Sequence, residues 1–158
     1  TIAHTDTGTN TIHVTYYHAP EPSWAQLGLQ TPAQVINQPG WEYSKPKLRR
    51  DMANDEGAIL AFIAKGVVGE ATSATRQAYM LYYHPTENKW HEITATPRSI
   101  SDRGLGYDTI TQEVCDLDVT TSAEQICLTT QEQAQGEDCD GSSTTHVYVQ
   151  CLPWGALP

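Results

Sequence analysis

Beyond Arg103 this 158-residue chain contains no lysine and no arginine. All nine basic residues lie within 1–103, where ten acids leave a net charge of −1; residues 104–158 carry nine acids alone. A field of that sign repels phosphate backbones, which argues against nucleic-acid binding and against docking on anionic membranes. No run of eighteen apolar residues occurs, so no helical membrane span is expected. An initiator Met and a signal peptide are also missing, which reads as a mature, processed chain. Gly-x-Ser-x-Gly, His-Glu-x-x-His and a phosphate loop are all absent, so little supports catalysis. Structural zinc normally shows short Cys-x2–4-Cys pairs, and there are none. Charged residues make up only 18 % of the sequence, while Thr, Ser and Gln are abundant. That is the composition of a neutral-faced, β-rich extracellular domain.

What the acidic third does contain is all four cysteines, at 115, 127, 139 and 151. An even count confined to one region predicts two disulfides and an oxidising compartment, hence a secreted protein. Four cysteines allow three pairings. The local scheme, Cys115–Cys127 with Cys139–Cys151, suits neighbouring antiparallel strands. The basic cluster Lys45, Lys47, Arg49 and Arg50 reads as a solvated loop or as counter-charge for this acidic region. No cofactor is implied. His18, His84, His91 and His146 raise a metal question but read as surface or satisfied histidines; calcium has slightly better candidate ligands, in Glu137-Asp138-Cys139-Asp140-Gly141 and Asp116-x-Asp118, though neither segment fits the twelve-residue calcium loop.

Strand signals dominate the chain. Thr11–Tyr17 alternates, with Ile12, Val14 and Tyr16 on one face and His13, Thr15 and Tyr17 on the other. Ala58–Ala64 and Ala78–Tyr83 are apolar on both faces, as central strands are. Further strands are expected at Ile2–Thr5, Ser23–Leu27, Trp90–Thr94, Thr109–Cys115, Gln125–Thr130 and Thr145–Cys151. The segment 84–89 has a hairpin-loop composition, as does 19–23. Thr31 followed by Pro32 predicts a one- or two-turn helix, and Lys47–Asn54 is a second short-helix candidate. The segment 65–76 is the most flexible-looking insertion. One all-β domain over 1–158 is expected, propeller-like or a sandwich, with possible repeat units at 1–50 and 51–103 and a disulfide-stabilised region at 104–158.

Two segments sixty-six residues apart are near copies: Tyr16-Tyr17-His18-Ala19-Pro20-Glu21-Pro22-Ser23-Trp24 and Tyr82-Tyr83-His84-Pro85-Thr86-Glu87-Asn88-Lys89-Trp90. The shared residues are Tyr, Tyr, His, Glu and Trp. Two copies of one strand–turn–strand unit follow, and they predict two copies of one surface. One Tyr of each pair should point outward, because neighbours on a strand face opposite ways. Flat aromatics beside fixed polar groups suit a sugar, which presents an apolar C–H face and a ring of hydroxyls. Candidate ligand-binding residues are Tyr17, His18, Trp24, Tyr83, His84, Trp90 and Glu92, with Trp41, Glu21 and Glu87 as further contributors. The competing reading of the tryptophans is core packing.

The strand ending in Tyr-Tyr and a polar residue, the short turn and the following strand bearing Glu resemble the blade repeat of fungal and bacterial fucose-binding β-propeller lectins. Those blades run approximately Ile-Arg-Val-Tyr-Tyr-Gln, turn, Gln-Glu, and the resemblance spans about residues 11–27 and 58–94. It implies a propeller fold in which a strand Arg and the later Glu hold sugar hydroxyls while an aromatic packs on the ring. Glu92 matches the Glu position and Gln26 stands there in the first copy; the Arg neighbourhood is occupied by His13, Val14, Tyr79 and Met80. The expected function is non-catalytic recognition of a glycan or cell-surface glycoprotein by a secreted lectin, with a homo-oligomer as one open arrangement. A secreted effector, toxin subunit or inhibitor that binds a host protein is the first alternative. A carbohydrate-active hydrolase is the second.

Overall fold

Antiparallel strand pairing organises the described residues into three sheets. A computed structural model of the protein describes residues 1–6, 8, 11–18, 23–36, 40–50, 57–66, 75–93, 112–134, 139 and 145–156. Sheet I contains β1 (Ile2–Asp6), β2 (Thr11–His18) and β3 (Ser23–Gln26) in that order. Sheet II contains β4 (Glu42–Arg50), β5 (Ala58–Gly66), β6 (Thr75–His84) and β7 (Lys89–Glu92). Sheet III contains β8 (Gln112–Thr121), β9 (Gln125–Ala134) and β10 (His146–Pro153), with β9 in the middle. Each sheet is a meander of consecutive strands.

The three sheets are layered, and sheet II lies between the other two. On one side Leu60, Phe62, Tyr79, Leu81, Tyr83 and Trp90 pack against Ile12 and Val14 of β2. On the other, Ile59, Ile63, Ala78, Met80 and Tyr82 pack against Val114, Val119, Ile126 and Leu128 of sheet III. A strand covered on both faces has no polar side to alternate with. That is why 58–64 and 78–83 read as unbroken apolar runs while Thr11–Tyr17 alternates. The faces expected for β2 hold: Ile12 and Val14 are fully buried, and Tyr17 is exposed.

The expected helix at Thr31 forms as α1 (Pro32–Ile36). Its start is a reciprocal cap: Gln34 N donates to Thr31 Oγ1 at 3.3 Å, and Thr31 N donates to Gln34 Oε1 at 2.8 Å. The helix sits between β2 and β7 and delivers Ile36 to the first core. The short helix considered from Lys47 is not there; 47–50 belong to β4, and 51–54 lie outside the described residues. Strand β4 accommodates Pro46 because it is an edge strand, with a register shift between Ser44 and Lys47. The insertion at 67–74 also lies outside the described residues.

Both disulfides form, but not in the local scheme. Cys127 bonds to Cys151 and Cys115 to Cys139, each closing a separation of 24 residues. The register explains the choice. Cys127 faces Cys151 directly across β9 and β10, whereas its partner on β8 is Thr120. Cys115, at the β8 bulge, is therefore offset along its strand by about 15 Å from Cys127, at about 3.3 Å per residue. Two disulfides fit an oxidising, extracellular setting. No described helix is long and apolar enough to cross a membrane.

The acidic third is held to sheet II by ion pairs as well as by its core. Lys45 Nζ approaches Asp116 Oδ1 at 3.3 Å, and Arg49 Nη2 donates to Asp118 Oδ1 at 2.9 Å. Arg76 Nη1 meets the buried Glu113 carboxylate at 3.0 Å. The basic cluster on β4 is thus counter-charge for β8.

Candidate functional site: the outer face of sheet I

The two Tyr-Tyr-His…Trp segments fold alike. Tyr17 stands opposite Trp24 across β2 and β3, and Tyr83 opposite Trp90 across β6 and β7. Ring centroids are 5.6 Å apart at 58° in the first pair and 5.3 Å apart at 53° in the second. Directly opposed residues of an antiparallel pair share one face, so each pair is a two-ring unit on its sheet.

Their surroundings differ completely. Tyr83 and Trp90 are 6 % and 4 % exposed, beneath sheet I. Trp90 Nε1 donates to Leu27 O at 2.9 Å, and Tyr83 Oη donates to Asn88 Oδ1 at 2.8 Å. Gly28 completes the fit at φ +94°; a Cβ there would lie 2.8 Å from Trp90 Cδ1. The expectation that one Tyr of each pair points outward therefore fails in the second copy. Tyr82 and Tyr83 are both buried because sheets cover both faces of β6. Trp41 is likewise core, its ring over the bare backbone of Gly66.

Tyr17 and Trp24 are 50 % and 55 % exposed. They begin a strip that runs down the outer face of sheet I. Next come Gln26, Thr15 and the exposed Ile2, then His13 opposite His4, then Thr11 opposite Asp6. Four such rows at two residues each span about 20 Å. The His4 and His13 rings stack with centroids 5.7 Å apart at 22°, and Thr11 Oγ1 hydrogen-bonds His13 Nε2 at 2.9 Å. Gln26 Nε2 donates to Gly28 O at 3.0 Å, which orients its amide oxygen away from that bond. The side chain of His18 and all of Glu21 lie outside the described residues.

The remaining candidates lie on sheet II. His84 is half-buried, with edge contacts to Tyr82 and His91, and its Nδ1 is buried without a hydrogen-bond partner. His91 Nε2 sits 3.1 Å from Glu87 Oε2. Glu92 stands opposite Leu81 on the face that sheet I covers. Burial pushes its carboxyl above the ordinary carboxylate range. Burial first, then the nearby Glu92 and Tyr43, raises the Tyr79 phenol strongly. Sequence reasoning thus grouped seven residues that the fold separates, with Tyr17 and Trp24 on one surface and Tyr83, Trp90 and Glu92 in or near the core. It overlooked Ile2 and His4 as strip members, and it met Gln26 only as the residue at the lectin Glu position. The signal for Ile2 and His4 was present in the period-2 alternation of β1.

Among the described residues no acid lines the cleft of about 440 Å³ between sheets I and II, which Tyr16, Leu48 and Arg50 border. A hollow of about 350 Å³ beside β8 and β9 contains Asp116 and Asp118, both already held by Lys45 and Arg49. Among the described residues no group of three His, Cys, Asp or Glu is placed to hold a metal. Residues 137, 138, 140 and 141 of the calcium candidate lie outside the described residues. No family model, no curated protein and no solved structure matches this chain.

Proposed function

We propose that this chain is a non-catalytic, extracellular glycan-recognition module whose platform is the outer face of sheet I. One observation carries the reading: a Tyr17–Trp24 pair left half-exposed on a flat sheet beside Gln26, His13 and His4. Exposed paired aromatics offer an apolar plane to a pyranose ring. The imidazoles and the Gln26 amide supply donors and acceptors for its hydroxyls. A strip of about 20 Å accommodates several linked sugars rather than one. At the position of the lectin arginine, Val14, Tyr79 and Met80 are buried, and only His13 reaches the surface. The platform therefore has no bidentate cation, which favours a neutral glycan held by stacking over an acidic one. The proposed architecture is three blade-like antiparallel sheets stacked as in a propeller, with the Tyr83–Trp90 position of sheet II packed against sheet I.

A glycan array tests the reading with wild type and Trp24→Ala. Binding that falls at least about thirtyfold in Trp24→Ala, the loss typical of an aromatic hot spot, supports it. An array without hits overturns it. The tryptophan to change is Trp24, since Trp90 is structural.

A second reading has its own support. The equivalent face of sheet II is covered by a sheet, so the face of sheet I suits a β-sheet of a protein partner. Capture of one protein by wild type and not by Trp24→Ala, with no glycan bound, selects that reading.

A further inference from the structure

Among the described residues, every outer strand but one carries a feature that blocks pairing with another chain. Strand β1 is five residues long and ends on Asp6, and β3 and β7 are four residues each. Strand β4 has Lys45 at φ 51°, Pro46, three more cations and a register shift. Strand β8 has Glu113, Asp116, Asp118 and a register shift of its own. Charges, prolines, bulges and short length are the usual protections of a sheet edge.

Strand β10 has none of them over His146–Leu152. It runs eight residues in unbroken register with β9, and no described residue pairs with its other side. From His146 to Leu152 it contains no Asp, Glu, Lys, Arg, Gly or Pro. Val147 and Val149 stand 67 % and 64 % exposed on its outward face. The Cys127–Cys151 disulfide ties β10 to β9, so this edge is fixed in place as a template.

We infer that β10 is the interface of a two-fold dimer, pairing antiparallel with β10 of a second copy to join two sheets III into one six-stranded sheet. The segment His146-Val147-Tyr148-Val149-Gln150 is self-complementary about Tyr148. A two-fold axis there sets Val147 opposite Val149 of the partner subunit, and His146 opposite Gln150 of the partner subunit. The four valines then form one apolar cluster across the junction. Self-pairing of an acidic chain requires that acids stay clear of the contact, and none follows Asp140. The dimer stands independently of the glycan reading; where both hold, it carries two platforms, which raises avidity for clustered glycans.

Sedimentation of the full chain across micromolar to several-hundred-micromolar concentration tests the dimer. The mass is expected to rise from 17.4 kDa towards twice that value. In Val147→Lys/Val149→Lys, lysines oppose lysines across the axis, and dissociation should strengthen more than tenfold with the circular dichroism spectrum unchanged. In Val147→Lys/Val149→Glu, opposite charges meet across the axis, and dimerisation should return. A chain monomeric throughout overturns the inference, as does a dimer that survives the double-lysine change. Loss of the dimer in both variants overturns the two-fold register.

Discussion

If the two Tyr–Trp pairs differ only in what covers them, removing each tryptophan must have very different consequences for stability. Trp90 is 4 % exposed and its indole nitrogen donates to Leu27 O. A tryptophan side chain offers about 200 Å² of surface. Burying nearly all of it is worth about 5 kcal/mol at 25 cal/mol per Å², an upper bound because the denatured chain is itself partly compact. Trp90→Ala also leaves a large cavity and an orphaned carbonyl, so a cost of about 4 kcal/mol is expected. Trp24 is 55 % exposed and lies on the outer strand β3. Less than half of its surface is withdrawn from water, part of it against Tyr17, and at the same rate that loss is worth at most about 2 kcal/mol.

Both changes are measured by thermal denaturation followed by far-UV circular dichroism, which does not depend on the indole being removed. For a chain of this size about 2–4 °C of Tm accompanies each kcal/mol. Trp90→Ala should lower Tm by about 8–16 °C, and Trp24→Ala by no more than about 4–8 °C. Equal losses would refute the reasoning, because they would mean that Trp24 is as enclosed as Trp90. A loss confined to Trp24→Ala would refute the layering of sheet I on sheet II.

The other predictions concern the core, the staples and one carboxylate. Gly66→Ala drives a Cβ into the Trp41 ring, so Trp41 must move; a cost of about 1–3 kcal/mol and a changed near-UV spectrum are expected. Trypsin leaves the four cysteines in one peptide because no basic residue follows Arg103, but Glu-C with Asp-N separates them. Mass spectrometry without reductant should then find 115 linked to 139 and 127 linked to 151, and any other pairing contradicts the register of sheet III. Replacing Cys127 and Cys151 together by serine should cost about 3 kcal/mol, the chain-entropy value for a loop of this length. Burial raises the folded-state pKa of Glu92 above its unfolded value, so the folded chain binds the extra proton in between. Stability therefore falls as pH rises from the ordinary carboxyl pKa through the raised one. Glu92→Gln should be more stable than wild type at pH 7 and should flatten that part of the profile, as read from urea midpoints between pH 4 and 8.

Residues whose state depends on their own neighbours in sequence were legible. The alternation of Thr11–Tyr17 assigned the inner and outer faces of β2, and the doubly apolar runs at 58–64 and 78–83 marked the middle sheet. Thr31 with Gln34 three residues on is a local capping pair, and it forms. Strand β4 was hidden because Pro46 and four cations mask its period, and its strand character comes from β5 alongside and from Asp116 and Asp118 across the layer. The disulfide pairing was hidden for a similar reason. Equal spacing along the chain says nothing about register, and register sets Cys151, not Cys115, opposite Cys127.

The Tyr–Trp duplication joins both cases. Its local geometry was legible, since the same residues at the same spacing build the same cross-strand pair twice, with centroids 5.6 and 5.3 Å apart. Whether such a pair is core or surface is decided by the next layer, which no residue within the nine-residue motif encodes. Sheet II has sheet I above its pair, and among the described residues sheet I has no layer above its own. Selection on Trp90 is therefore selection on packing, and substitution there is answered by unfolding. Trp24 carries no comparable structural demand, yet an exposed tryptophan beside an exposed tyrosine is an unusual use of apolar surface. A chain relieved of ligand binding should tolerate polar residues at 17 and 24 with little loss of stability, and the array and the denaturation series together separate that case from a retained platform.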